Sequence, residues 1–187
     1  MSSLREAWRV EEDTPEPERH RHLLRDVLLP GALVGMVGAV LMALVCIGLS
    51  LIAGAGPARP AELAAGLFFR DAVPSGALAV VLGLLVHGAV AGGVGTLFAL
   101  LCPRGGTAVA ALALGMLLAL SLQALMPTLV LYWAAPPLAR SVPSLALAPG
   151  HLAFGAALGL LPAARRLTGG LDRGRRRVLQ LAHAALE

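Results

Sequence analysis

Charge is scarce in this sequence. Only 14% of its residues are charged, where a soluble domain carries about 25%. Apolar residues make up 57%, the mean hydropathy is +0.78, and long blocks hold no charge at all. A chain of 187 residues forms one compact domain, too small to bury such blocks in water, so lipid is the expected solvent. Lysine is missing: all fifteen basic residues are arginine, a usage that follows from a GC-rich genome and carries no functional weight. Cys46 and Cys102 stand far apart and outside any CxxC, so neither a structural zinc site nor a disulfide framework is expected. GxSxG, Walker, HExxH and dinucleotide signatures are absent, as is any nucleic-acid-binding motif. No catalytic residue, metal site or nucleic-acid partner is therefore expected. The apolar blocks hold no carboxylate or lysine, the groups with which a proton-coupled transporter usually works.

What is present is an all-α integral membrane pattern, read as a four-helix bundle. Four apolar segments fall at about 30–53, 76–101, 107–130 and 144–164, and about 20 residues suffice to cross a hydrocarbon core. Residues 1–29 form a polar leader, acidic and disordered over Glu11–Glu18, then amphipathic over His20–Leu29. A secretory signal is not expected there, since the first apolar block begins late and follows acidic residues. Pro60 and Glu62 suit the first turn of a short interfacial helix over 61–70, anchored by Phe68 and Phe69. Glu62, Arg70 and Asp71 read as a solvated face with a local ion pair. Tyr132 and Trp133 follow span three as an aromatic belt would. Pro149-Gly150 interrupts span four, which Arg165 and Arg166 end. Residues 165–187 read as a basic amphipathic helix on the membrane surface. His20, His22 and His183 read as solvated, and Cys46 as a small packing residue.

The arginines set an orientation. Arg19, Arg21, Arg25, Arg104, Arg165, Arg166 and the 173–177 cluster fall on one side of the spans, and Arg59, Arg70 and Arg140 on the other. The positive-inside rule then places both termini in the cytoplasm, as expected of a multi-pass protein of a bacterial inner membrane.

Each span carries small residues at every fourth position. The stripes are Gly31, Gly35, Ala39, Ala43; Gly83, His87, Ala91, Gly95, Ala99; Ala111, Gly115, Ala119, Gln123; and His151, Gly155, Gly159, Ala163. Helices in lipid associate through close backbone approach, so these stripes read as packing seams. The halves also resemble each other: Gly35-Met36 with Gly115-Met116 at an offset of 80, and His87 with His151 at an offset of 64. A parallel two-helix repeat and chance similarity in an Ala/Gly/Leu-rich chain both account for this.

His87 and His151 are the only ionisable residues deep in the spans, and such groups are functional candidates by default. They lie 17 residues before Arg104 and 14 before Arg165, a comparable depth. One reading is structural: neutral imidazoles bonded to a carbonyl or to Gln123. The sharper one is a pair of axial ligands to a b-type haem, with a quinone site or proton relay as further alternatives. A channel or transporter would need a polar path past Ser121 and Gln123.

Three segments carry a resemblance: Pro60-Ala61-Glu62-Leu63, the LLVHGAVAGGVG of residues 84–95 and the GHLAFGAALGL of residues 150–160. Over about residues 31–163 the chain resembles small four-span bacterial inner-membrane proteins of uncharacterised families. The resemblance implies a compact bundle and supplies no activity. The expectation is a non-enzymatic accessory or assembly protein without a cofactor, whose partners are the bilayer and other membrane proteins or further copies of itself.

Overall fold

The computed structural model describes residues 23–69, 74–134 and 136–184. Glu11–Glu18, His20, His22, Arg70, Asp71 and Ala185 lie outside that description, as do the side chains of Leu181, Ala182 and His183. The described residues are helical, with no strand among them. The elements are α1 (Leu29–Ile52), α2 (Arg59–Ala65), α3 (Ala77–Leu101), α4 (Ala108–Leu125), α5 (Leu131–Ala134), α6 (Pro136–Ser141), α7 (Ala148–Leu158) and α8 (Leu161–Ala184).

Three helical stretches, Leu24–Ile52, Ala77–Leu101 and Ala108–Ala134, are long and apolar enough to cross a membrane. The fourth candidate is a bent pair, Ser144–Leu158 and Leu161–Arg175, with 44° between its arms. The break falls at Gly159-Leu160, not at Pro149-Gly150 as the sequence had indicated. Pro149 sits in the first turn of α7, where its missing N–H would have found no helical partner anyway. Pro162 is the residue that breaks the span: its ring conflicts with the carbonyl of Leu158.

The amphipathic leader is corrected as well, over its described part. Leu24–Leu28 forms a π-helical turn that runs straight into α1, and Val27 is buried in the core. It is the first turn of a long helix, not a separate surface helix. A second π-helical turn, Met126–Val130, joins α4 to α5. Pro127 lies in its first turn, and a widened register accommodates a residue that cannot donate to the ladder. Tyr132 and Trp133 are exposed just beyond it.

Among the long helices, the extensive pairings are α1 with α3, α1 with α7, and α4 with α7. The neighbour order is therefore α3–α1–α7–α4. The core is thin and runs along this order: Val34, Phe98, Phe154, Leu158 and Leu161 fill it between small residues. Leucines and valines on the outer faces of α1, α3 and α4 stay exposed, as a lipid-facing surface requires.

The short helix α2 does not lie free on a surface. It packs against α3, with Ala65 fully buried. Glu62 pairs with Arg59 at 3.7 Å, and its Oε1 accepts the backbone N–H of Gly76 at 3.1 Å, directly before α3. Gly76 takes φ 90°, a conformation glycine adopts without strain.

Candidate functional site

The small stripes meet one another. A methyl group added at Gly31 would stand 2.6 Å from Thr96 Cα, and one at Gly95 would stand 2.7 Å from Gly35 Cα. At Gly35 the added carbon would overlap the carbonyl of Ala91. Glycine is thus required here because backbone lies directly against backbone. The α4–α7 seam is built alike: a methyl on Gly155 would come within 2.6 Å of Ala119 Cβ, and one on Gly115 within 3.0 Å of Leu158 Cβ. Gly159 faces Leu112. Gly83 departs from the expectation of a seam between spans, since its neighbour is the backbone of Ala61 in α2. The two seams share a pattern. Gly35 meets Ala91 and Gly115 meets Gly155, the pairs related by the sequence offsets of 80 and 64.

The α1–α7 contact is of another kind. Phe154 fills the space over Gly38, and Gly150 faces Met42 and Cys46. Large side chains here occupy what glycines leave open.

The two histidines sit on these seams, His87 between α3 and α1 and His151 between α7 and α4. His87 Nε2 lies 2.9 Å from the carbonyl oxygen of Ala39, near the middle of α1. A carbonyl only accepts, so Nε2 is the donor. His151 is buried, and its Nδ1 lies 2.8 Å from Gln123 Oε1 and 3.1 Å from Leu147 O. The amide orientation follows from its other end: Gln123 Nε2 donates to Ser144 O at 2.7 Å. Nδ1 of His151 is then the donor, and Nε2 holds the lone pair. A cleft of about 480 Å³ adjoins the second pair, and two residues lining it, Ser144 and Leu147, carry the carbonyls that Gln123 and His151 bind.

Gln123 and His151 therefore come together as the sequence allowed. Ser121 does not join them. It lies on the outer face of α4 with its hydroxyl donated to Leu117 O of the same helix, and Thr96 likewise donates to Gly92 O.

The opposite end holds an arrangement the sequence reading missed. Arg165 inserts its guanidinium among four carbonyl oxygens: Ala99 at 2.6 Å, Pro103 at 2.7 Å, Cys102 at 3.1 Å and Asp26 at 3.2 Å. The first three lie at and just beyond the C-terminus of α3, where helix carbonyls lack partners and the dipole favours a cation. Thr168 donates toward Arg25 O, and Arg104 pairs with Asp26. One residue thus ties α8, the end of α3 and the turn before α1. Its only sequence signal is its place four residues into a helix that begins at a proline-marked break. Beside it, burial pushes the Cys102 thiol up, and the Arg165 guanidinium draws it part of the way back.

Comparisons with protein-family models, with curated proteins and with solved structures find no match for this chain.

Proposed function

We propose that the chain is a multi-pass protein of a bacterial inner membrane, arginine-rich end in the cytoplasm, that serves as a non-catalytic accessory or assembly subunit. The carrying observation is how its intramembrane polar groups are used. His87, His151 and Gln123 each bond across a helix–helix seam, and the glycine stripes are spent on the same seams. The outer surface of α3 and α4 is available to another molecule; it is apolar and carries exposed Leu84, Leu97, Leu117 and Leu120. Such a surface suits other transmembrane helices, which pack through van der Waals contact within lipid. The orientation rests on the gathering of Arg25, Arg104, Arg165, Arg166 and Arg173 at one end.

Photo-crosslinkable residues placed at Leu84 and Leu117 test this in native membranes. The expected result is a discrete protein adduct from at least one position. Adducts to lipid alone, or turnover of a substrate that fails in His87→Ala or His151→Ala, would overturn it.

One observation favours a second reading, a b-type haem or quinone subunit. His151 has its Nδ1 held by Gln123 and its Nε2 unassigned, as an axial ligand requires. His87 counts the other way, because its Nε2 is given to Ala39. Absorption spectra of the purified protein, oxidised and dithionite-reduced, decide. A Soret band lost in both histidine variants establishes the haem subunit. A featureless spectrum after expression with added haem precursor leaves the histidines as ties between helices.

A further inference from the structure

We infer that the arginine-rich end holds a binding site for a phosphate ester, in a cleft between the α3–α4 connection and the first turns of α8. The cleft has a volume of about 420 Å³, and Arg104, Arg165, Arg166 and Arg173 line it together with Gly105 and Gly106. Its two halves are built differently. Arg165 is fixed by the four carbonyls it binds, and Arg104 is held by Asp26. These two form a positioned wall of positive charge. Arg166 and Arg173 line the other side, both exposed, and neither has an ion pair with a described carboxylate. The only carboxylates among the described side chains are Asp26, which pairs with Arg104, and Glu62, which pairs with Arg59 in α2. Four arginines therefore line one cleft, with Asp26 the one carboxylate beside them among the described side chains. A guanidinium presents a planar fork of donors that matches phosphate oxygens. Gly105 and Gly106 put no side chain between the loop backbone and the cleft.

The site stands at the level where phosphate is abundant. α3 ends and α4 begins at its rim. On α8, exposed Leu167, Leu171 and Val178 follow one apolar line, with Arg166, Arg173 and Arg177 off it. A helix of that kind lies in the headgroup layer with its apolar line toward the acyl chains, and basic pockets at cytoplasmic helix ends bind anionic headgroups. The shared chemistry is a phosphate ester, presented by an anionic phospholipid or by a soluble ester. The lipid source rests on the membrane placement above; the soluble one does not.

Native mass spectrometry of the full-length protein in detergent tests the site. The probes are dioleoyl-phosphatidylglycerol and dioleoyl-phosphatidylcholine, with glycerol 3-phosphate as a competitor. Wild-type protein is expected to retain the glycerol lipid in preference to the choline lipid. Arg166→Gln combined with Arg173→Gln should weaken that retention roughly 30-fold, from about fivefold for each arginine. Arg59→Gln combined with Arg140→Gln, at the opposite end, should leave it unchanged. Weakened retention with no effect of glycerol 3-phosphate assigns the site to the lipid. Displacement by glycerol 3-phosphate that the same variants abolish assigns it to a soluble ester. Equal retention of both lipids, or retention untouched by the double substitution, would overturn the site. Both arginines are exposed, so the variants fold, and their crosslinks through Leu84 and Leu117 report the accessory role separately.

Discussion

Replacing Arg165 leaves four carbonyl oxygens short of a donor at once, three of them around a helix C-terminus. Hydrogen bonds to a charged group contribute more than neutral ones, and stranded acceptors carry a desolvation cost. Arg165→Ala should therefore destabilise the protein by about 3 kcal/mol, read as an earlier unfolding transition in detergent. Arg165→Lys should recover little of this, because an ammonium on a flexible stem cannot present the same fork to carbonyls on two segments. Cys102 gives a second readout. The thiolate is the form that reacts, and burial holds the folded thiol above its usual range. Alkylation should be slow at neutral pH and rise steadily into the alkaline range. Arg165→Ala should accelerate it at every pH, because opening the carbonyl cluster exposes the sulfur, which outweighs the loss of the neighbouring positive charge. An unchanged rate would mean that Arg165 does not cover Cys102.

The seams between helices distinguish glycines that look identical in the sequence. Gly35 and Gly93 both belong to apolar spans, yet a methyl on Gly35 would strike the Ala91 backbone while one on Gly93 would meet nothing within 4 Å. Gly35→Ala should cost about 2 kcal/mol through overpacking. Gly93→Ala should stabilise by about 0.5 kcal/mol, because alanine loses less conformational freedom in a helix. Thermal unfolding of the pair checks both signs. Much of this scale was legible in advance. Each of the first three apolar segments overlaps a membrane-length helix, though the first helix starts at Leu24 rather than 30 and the third runs to Ala134 rather than 130. The period-four stripes line the α1–α3 and α4–α7 seams, because such small residues have few other uses in lipid. The break in span four was misplaced because both prolines stand second in a helix, Pro149 in α7 and Pro162 in α8, and only Pro162 follows directly on an apolar helix, so that the break falls at Gly159-Leu160. The seat of Gly83 against α2 was not legible, because nothing local says which neighbour a small residue faces.

At the scale of the molecule, the order α3–α1–α7–α4 rests on contacts between segments remote in sequence, which no local pattern encodes. His151 does meet Gln123, one of the partners its span offered. The partner of His87 could not be read, because it is a backbone carbonyl and every residue has one. The order can be checked with the native thiol of Cys46. A Cβ at Gly150 would lie 3.3 Å from its Sγ, close enough for a disulfide. Gly150→Cys, with Cys102→Ser to remove the second native thiol, should form an intramolecular bond on mild oxidation. Cysteines at Leu84 and Leu117, on α3 and α4, should not. The reverse pattern would dismantle the proposed order.

That order also has a direction in time. α7 is the last of the four long apolar elements to leave a ribosome, yet it occupies the position between the first and the third. Until it arrives, α1 and α3 can close on each other, but α4 has no extensive partner. Synthesis must therefore deliver three helices into the bilayer with a place held open, and completion is an act of insertion between them rather than addition at an edge.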